Sequence, residues 1–327
     1  MKQSDPLYSS DPLYAVAVMH YTHGQTMEAI ARKLAVSRST VSRMLKEARK
    51  RGYVNISVSA PDQTSTEVAA WLQEKYGVHA ILVPVTADTD ENHRLEAVAT
   101  MGASVVADIA KPHDVIGVAW GNTISRVAHH LGKIHVEGTT VIQLNGALSQ
   151  VNIDAPYSSG IPEAFAGAFG ARLIVFPVPA FFDYAYTREA MWQETSVKAV
   201  RKLQMSATFA VFGIGSLSST LPSAVYSGGY LRDSDIATLR AEGVVGDVCT
   251  VLLRADGTWE DLELNQRASG LLPTELQTIA RRIAIAAGSG RIRAILAALR
   301  AGLVTDLVID TDTATRLMHY AHQNEHV

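Results

Sequence analysis

The sequence predicts an α/β protein preceded by a small helical unit, and three observations carry that prediction. Residues 26 to 54, TMEAIARKLAVSRSTVSRMLKEARKRGYV, set two short amphipathic helices around a tight turn. Beyond about residue 63, apolar strands alternate with amphipathic helices, the pattern of a largely parallel sheet wrapped by helices. A length of 327 residues also exceeds the ~100 to 200 that one domain commonly uses. The expected division is 1–62 for the helical unit and 63–327 for the α/β unit.

In the first unit, Thr26 is the N-cap of a helix whose apolar residues Ile30, Ala31 and Leu34 recur at helical spacing. Ala35 and Val36 make the turn, and Ser37 caps a second helix. Val41, Met44, Leu45 and Ala48 face inward on that helix, while Arg38, Ser39, Thr40, Ser42, Arg43 and Lys46 face outward. A DNA major groove requires such a face, because Arg pairs bidentately with guanine and the short hydroxyl side chains bond base edges or phosphates. Lys46 and Arg49, later on the helix, are expected on phosphates. Residues 32 to 51 hold eight Lys or Arg against one acid, Glu47, a local charge of +7 on a chain of net charge -3. A basic element on an acidic protein suits double-stranded DNA; the alternative is a solvated helical face. Ala35 stands where such turns often carry Gly, so a left-handed backbone there would cost about 1 kcal/mol. One helix-turn-helix reads only a half-site, so a homo-oligomer is expected; the unit 63–327 is large enough to supply its interface, and the stretch Tyr14 to His20 ahead of the motif is the alternative for pairing two such units.

After Gly52, Val54, Ile56 and Val58 alternate as a strand, a candidate wing. Pro61 and its polar neighbours mark a linker, Thr64 or Ser65 caps the helix EVAAWLQEKY, and Gly77 ends it. The strands expected beyond it are 79–85, 114–120, 139–145, 171–178, 207–215, 248–254 and 305–310, with helices such as HRLEAVATMGASVVADIA, TISRVAHHL, IPEAFAGAF, SVKAVRKLQ and RIRAILAALRAG between them. No repeat period of 20 to 50 residues is evident.

Composition bounds the rest. Hydrophobic residues at 47% with 19% charged are ordinary for a folded soluble protein. One cysteine, Cys249, excludes an intrachain disulfide framework and fits a reducing cytoplasm. MKQSDPLYSSDPLY lacks the apolar core of a signal peptide, and no uncharged apolar run reaches the ~18 residues of a membrane span, so a cytoplasmic location is expected.

Ligands of open α/β sheets bind beyond the carboxyl ends of the strands, which gives weight to four places. In GVAWGNTISRVA, a strand passes through Gly121, Asn122 and Thr123 into a helix whose N–H groups can hold a phosphate, with Thr123 and Ser125 hydroxyls beside it. In QLNGALS, the amides of Gln143 and Asn145, before Gly146, suit sugar hydroxyls; Asn-Gly is equally a common turn. GIGS (213–216) is the third. The fourth couples GVVGD with AAGSGR, where Asp247 accepts from hydroxyls and Arg291 offers a cation to phosphate. There is no full dinucleotide fingerprint or P-loop, no HExxH or CxxC, and hence no expected metal, cofactor or catalytic set. His129 and His130 read as a helix end, and His319, His322 and His326 as a frayed polar tail. Phe181, Phe182, Tyr184, Tyr186 and Trp192 read as core and loop packing, with a pocket wall or subunit contact as the alternative.

Taken in order, YAVAVMHYTHGQTMEAIARKLAVSRSTVSRMLKEARKRG, GVAWGNTISRVAHHL, LNGALS, FGIGS, GVVGDV and AAGSGRIRAILAALRAGLVTDLVIDTDTA resemble the SorC family of bacterial sugar-responsive transcriptional regulators, over nearly the whole chain from about Tyr14 to Leu317. The resemblance implies a winged helix-turn-helix joined to an effector domain related in fold to ribose-phosphate isomerase and glucosamine-phosphate deaminase. It also implies a phosphorylated sugar or sugar-derived effector and a homo-oligomer, dimer or tetramer, on an operator. Many members carry Lys at the position of Arg291 and Gly at that of Ala287. Arg keeps the charge but presents a planar fork, which leaves the effector's identity open. The competing reading is a sugar-phosphate isomerase, deaminase or kinase carrying a DNA-binding unit; no clustered acid pair beside the GNT loop supports it.

Overall fold

The computed structural model describes residues 11–51, 53–54, 63–86, 88–147, 160–221 and 223–324. The chain separates into two compact units, Met1–Ala60 and Pro61–Val327.

Among the described residues of the first unit are three α-helices. α1 (Pro12–Ala17) starts where the Asp11 carboxylate accepts from the Leu13 N–H at 2.9 Å, and it runs into a wide turn over Val18–Thr22. α2 spans Met27–Leu34 and α3 Arg38–Lys50. Val16, Met19, Ile30, Ala31, Val41 and Leu45 form their common core. Val16 and Met19, in the stretch considered for pairing two such units, are thus spent on this unit's own core, though Tyr14 stays exposed. Leu34 also departs from expectation: as the last residue of α2 it is exposed. The candidate wing at 54–58 lies, apart from Val54, outside the described residues.

In the second unit the order is α4 (Gln63–Tyr76), β1 (His79–Val83), α5 (Glu91–Ile109), β2 (Val115–Val118), α6 (Asn122–His130), β3 (Thr140–Gln143), α7 (Gly160–Phe169), β4 (Arg172–Ile174), α8 (Ala185–Gln193), α9 (Thr195–Met205), β5 (Phe209–Ser216), α10 (Ala224–Ser227), α11 (Asp233–Ala241), β6 (Val244–Val248), β7 (Val251–Arg254), α12 (Pro273–Leu276), β8 (Arg281–Ala286), α13 (Ile292–Arg300), β9 (Asp306–Asp310) and α14 (Thr311–Gln323). α4 begins upstream of the two residues expected to cap it. The main sheet runs β1-β9-β8-β5-β2-β3-β4, all parallel, with β6 and β7 as an antiparallel extension from β5.

Both faces of that sheet are covered, so its central strand alternates between two cores. Ala210, Phe212 and Ile214 of β5 join a cluster with Leu72, Ile295 and Leu317, while Phe209 and Val211 join Leu95, Ile124 and Phe165 on the other side. From β2 the chain winds one way through β3 and β4; from β5 it winds the other way through β8 and β9. The carboxyl ends of β2 and β5 therefore flank the switch point at which such sheets open a crevice.

Three expectations need correction. Residues 248–254 are not one strand, because Cys249 and Thr250 adopt φ of 50° and 69° and turn the chain between β6 and β7. RRIAIA, not singled out as a strand, is β8, with its last four residues, Ile283 to Ala286, fully buried. Nor is the C-terminal segment a frayed tail through residue 323. Asp310 caps α14, Leu317, Met318 and Ala321 are buried, and the His322 ring meets Trp71 edge-on at 5.9 Å. His326 lies outside the described residues.

Candidate DNA interface and effector cavity

Two capped helices build the first site. Thr26 Oγ1 accepts from the Ala29 N–H at 3.2 Å, and Ser37 Oγ accepts from the Thr40 N–H at 3.1 Å. Between the helices Ala35 takes the left-handed conformation, φ 52° and ψ 40°, and the Val36 N–H closes the end of α2 on Ala31 O at 3.0 Å. The turn absorbs the strain instead of avoiding it.

Arg38, Ser39, Ser42, Arg43, Lys46 and Arg49 are exposed on α3, and Thr40 is half-buried beneath Ser37. Their surroundings differ. Arg38 pairs with Glu28 at 2.6 Å, and Arg49 donates from Nε to Tyr21 Oη at 2.8 Å. Arg43 and Lys46 are exposed and make no ion pair or hydrogen bond among the described residues, so neither charge is engaged within this unit. At this face the sequence supplied the exposed pattern but not the Glu28 and Tyr21 partners, which depend on how the helices pack.

In the second unit, one cleft of about 490 Å³, counting its open mouth, lies between the ends of β2 and β5. Gly121, Asn122, Thr123, Asn145, Asp247 and Arg291 all line it, although 170 residues separate the first from the last. Gly121 sits at φ 149°, a backbone that an L side chain resists, and so releases the chain from β2 straight into α6. Thr123 is buried behind it, facing Gly213.

Three other expected residues do not line the cleft. Gln143 is consumed internally: its amide donates to Asn145 O at 2.8 Å and its Oε1 accepts from the Phe176 N–H at 3.1 Å. Gly146 donates its N–H to Ser269 Oγ at 2.9 Å, and its carbonyl accepts from Trp120 Nε1 at 2.7 Å. Both shape the loop that presents Asn145. Ser125 lies nearly a full turn beyond the helix start, its N–H closing the first turn on Gly121 O at 2.8 Å, and is half-buried.

Three polar groups of the cleft each keep one unsatisfied atom. Asn145 Oδ1, Asp247 Oδ1 and Arg291 Nε are buried with no hydrogen-bond partner among the described residues. Buried polar atoms are normally paired, so these three leave one donor and two acceptors at the cleft unmet. Asp247 stands on β6 opposite Gly215 of β5, whose missing side chain leaves room for the carboxylate. Burial pushes the Asp247 pKa up to about 6, against the lowering influence of the Tyr226 hydroxyl and the Thr250 N–H. Tyr226 lies beside Asp247, but its own hydroxyl completes no hydrogen bond among the described residues; burial and the neighbouring charge push its pKa well up. Cys249, also at the cleft, is pushed up by burial as well and is therefore a poor nucleophile.

Sequence reasoning missed Trp120, which stacks on Tyr230 with centroids 4.7 Å apart, and the wall of Ser223, Ala224 and Val225 from the loop into α10. No motif announces that wall: four helical residues between polar turns carry no periodicity. Phe181 and Phe182 are core, whereas Tyr184 and Tyr186 are exposed and stacked on each other, and none of them lines the cleft. Among the described residues no group of three or more His, Cys, Asp or Glu could hold a metal, and no helix is long and apolar enough to cross a membrane.

The family described as "Putative sugar-binding domain" matches residues 61–319. A domain of "a possible sugar-binding transcriptional regulator" from Arthrobacter aurescens TC1 is 40% identical, with a TM-score of 0.74 over 80% of this chain and 100% of that one. The deoxyribonucleoside regulator of Bacillus subtilis (strain 168) is 29% identical over 306 residues, covering 93% of this chain and 96% of that protein. The full-length sorbitol operon regulator SorC of Klebsiella pneumoniae, at 23% identity, shares the fold with a TM-score of 0.69 over 94% of this chain and 98% of that one.

Proposed function

The chain belongs to the SorC family of transcriptional regulators, and from that premise we propose that α3 binds double-stranded operator DNA under the control of a phosphorylated sugar or sugar-derived effector in the cleft. The observation that carries the effector half is the convergence of Gly121, Asn122, Thr123, Asn145, Asp247 and Arg291 on one cavity. The N–H groups and dipole at the start of α6 receive the phosphate, with Arg291 adding charge. Asn145 and Asp247 then read hydroxyls, which offer a donor to each orphaned oxygen. The relatives named for sorbitol and deoxyribonucleosides make polyol and sugar phosphates the first compounds to try.

The same proposal includes a wing after Val54, a boundary between units at 62/63, an effector fold related to ribose-phosphate isomerase, and action in the cytoplasm as a dimer or tetramer. Symmetric assembly matches the two half-sites of an operator. A thermal-shift screen against sugars, polyols and their phosphates tests the effector: a ligand selective for the folded protein raises its midpoint.

One observation favours a second reading, that of an enzyme. A buried carboxylate with pKa about 6 shares the cleft with Arg291, as a general base and an enediolate-stabilising cation would. Product released above background from sugar phosphates that bind would establish turnover; binding without turnover supports the regulator.

A further inference from the structure

Arg291 enters the cleft already engaged. Its guanidinium donates from Nη1 to Ala287 O at 3.0 Å and to Glu91 Oε1 at 3.3 Å, and from Nη2 to Leu221 O at 3.1 Å, leaving Nε without a partner. Only 3% of the Arg291 side chain is exposed, but 21% of that of Glu91, so the carboxylate reaches the buried cation from the solvent side. Glu91 is held in place from two directions. A Cβ on Gly288 would lie 2.6 Å from its Oε1, and Ser219 Oγ donates to that oxygen at 3.2 Å while Thr220 Oγ1 bonds Oε2. The segment 217–221 is thereby fastened over the loop Gly288–Arg291, with Ser219 Cα resting where a side chain on Gly290 would be. That segment leads directly to Ser223, Ala224 and Val225, a wall of the cleft.

We propose that Glu91 is a built-in competitor for the anion seat: the effector's anionic group and the Glu91 carboxylate contend for Arg291, and the effector's success frees Ser219 and Thr220 from Glu91. The proposal rests on the reading of the cleft as an anion site. Its consequence is selectivity. A neutral sugar gains nothing at Arg291 that would offset the loss of Glu91, whereas a dianionic phosphate outcompetes a single carboxylate for the same donors. The Ser219–Thr220 segment then transmits occupancy to the wall that carries Ser223 to Val225.

Inorganic phosphate is the probe, titrated against the full chain at constant ionic strength with chloride as the control, following the thermal midpoint. Glu91→Gln keeps the shape and one acceptor oxygen for Arg291 and Ser219, reverses the bond to Thr220, and removes the competing charge. Its half-saturation should fall roughly two- to fivefold below wild type, the range of a partly exposed ion pair. Ser219→Ala with Thr220→Val, which loosens the grip on Glu91, should shift in the same direction and stands in if Glu91→Gln does not fold. Arg291→Met should abolish the response. Half-saturation unchanged or raised in the Glu91 or Ser219/Thr220 variants, with the response still lost in Arg291→Met, overturns the competition and leaves the anion site standing. A response that survives Arg291→Met overturns both.

Discussion

The Thr250 backbone N–H donates to Asp247 Oδ2 at 3.2 Å, tying a strained turn to the buried carboxylate of the cleft. Both turn residues, Cys249 and Thr250, have positive φ, and a β-branched residue at φ 69° is rarely tolerated. Strain of this kind persists where the surroundings enforce it, and it concentrates at functional sites.

Asp247 should therefore reduce stability at neutral pH. Its folded pKa of about 6 exceeds its ordinary value of 3.8. A raised acid contributes full stability below the unfolded pKa and loses it as pH rises through the folded one. Asp247→Asn is expected to stabilise the protein at pH 7.5 by up to about 3 kcal/mol, the free-energy equivalent of that shift, and by little at pH 4. Denaturant melts at the two pH values check this; equal effects at both would show that the charge is not the cause.

Effector affinity should follow the same titration. Hydroxyl donors favour the ionised carboxylate, so binding should weaken by up to tenfold per pH unit below about 6. Calorimetry at pH 5, 6 and 7 reads it, and a flat profile would remove Asp247 from the ligand's contacts.

On α3, Arg43→Ala should cost about 1 to 3 kcal/mol of operator affinity and relax preference at one base position. Lys46→Ala should weaken all sequences alike and lower the salt slope by about 1. Gel-shift titrations distinguish the two; wild-type affinity in Arg43→Ala would move base reading elsewhere on the helix.

Ala35→Gly should raise stability by up to about 1 kcal/mol, since it relieves the left-handed strain of φ 52° at some cost in unfolded-state entropy. A destabilised variant would show that the Ala35 methyl packs usefully.

What the sequence made legible follows physical range. Thr26 and Ser37 were readable as caps because a cap is a contact over three residues. Gly121 to Thr123, Asp247 and Arg291 were readable because each ends a strand or begins a helix, where open sheets place ligands. Gln143 and Gly146 carried the right chemistry, but distant partners, Phe176 and Ser269, claim their polar groups. The turn at Cys249 and Thr250 was hidden because neither residue type favours positive φ. α14 looked polar because a helix needs only one apolar stripe, here Ala314, Leu317, Met318 and Ala321.

The most direct test of the central account places a charge in the phosphate seat. Thr123→Asp and wild type are compared in operator gel shifts across a panel of sugar and polyol phosphates and their unphosphorylated forms. The account predicts that both proteins hold the operator, that one or more phosphates change wild-type affinity, and that the mutant ignores them. By linkage, the effector must bind the wild-type DNA complex with affinity altered by the same factor. A mutant that responds like wild type, or an unphosphorylated sugar that acts more strongly than its phosphate, would contradict it.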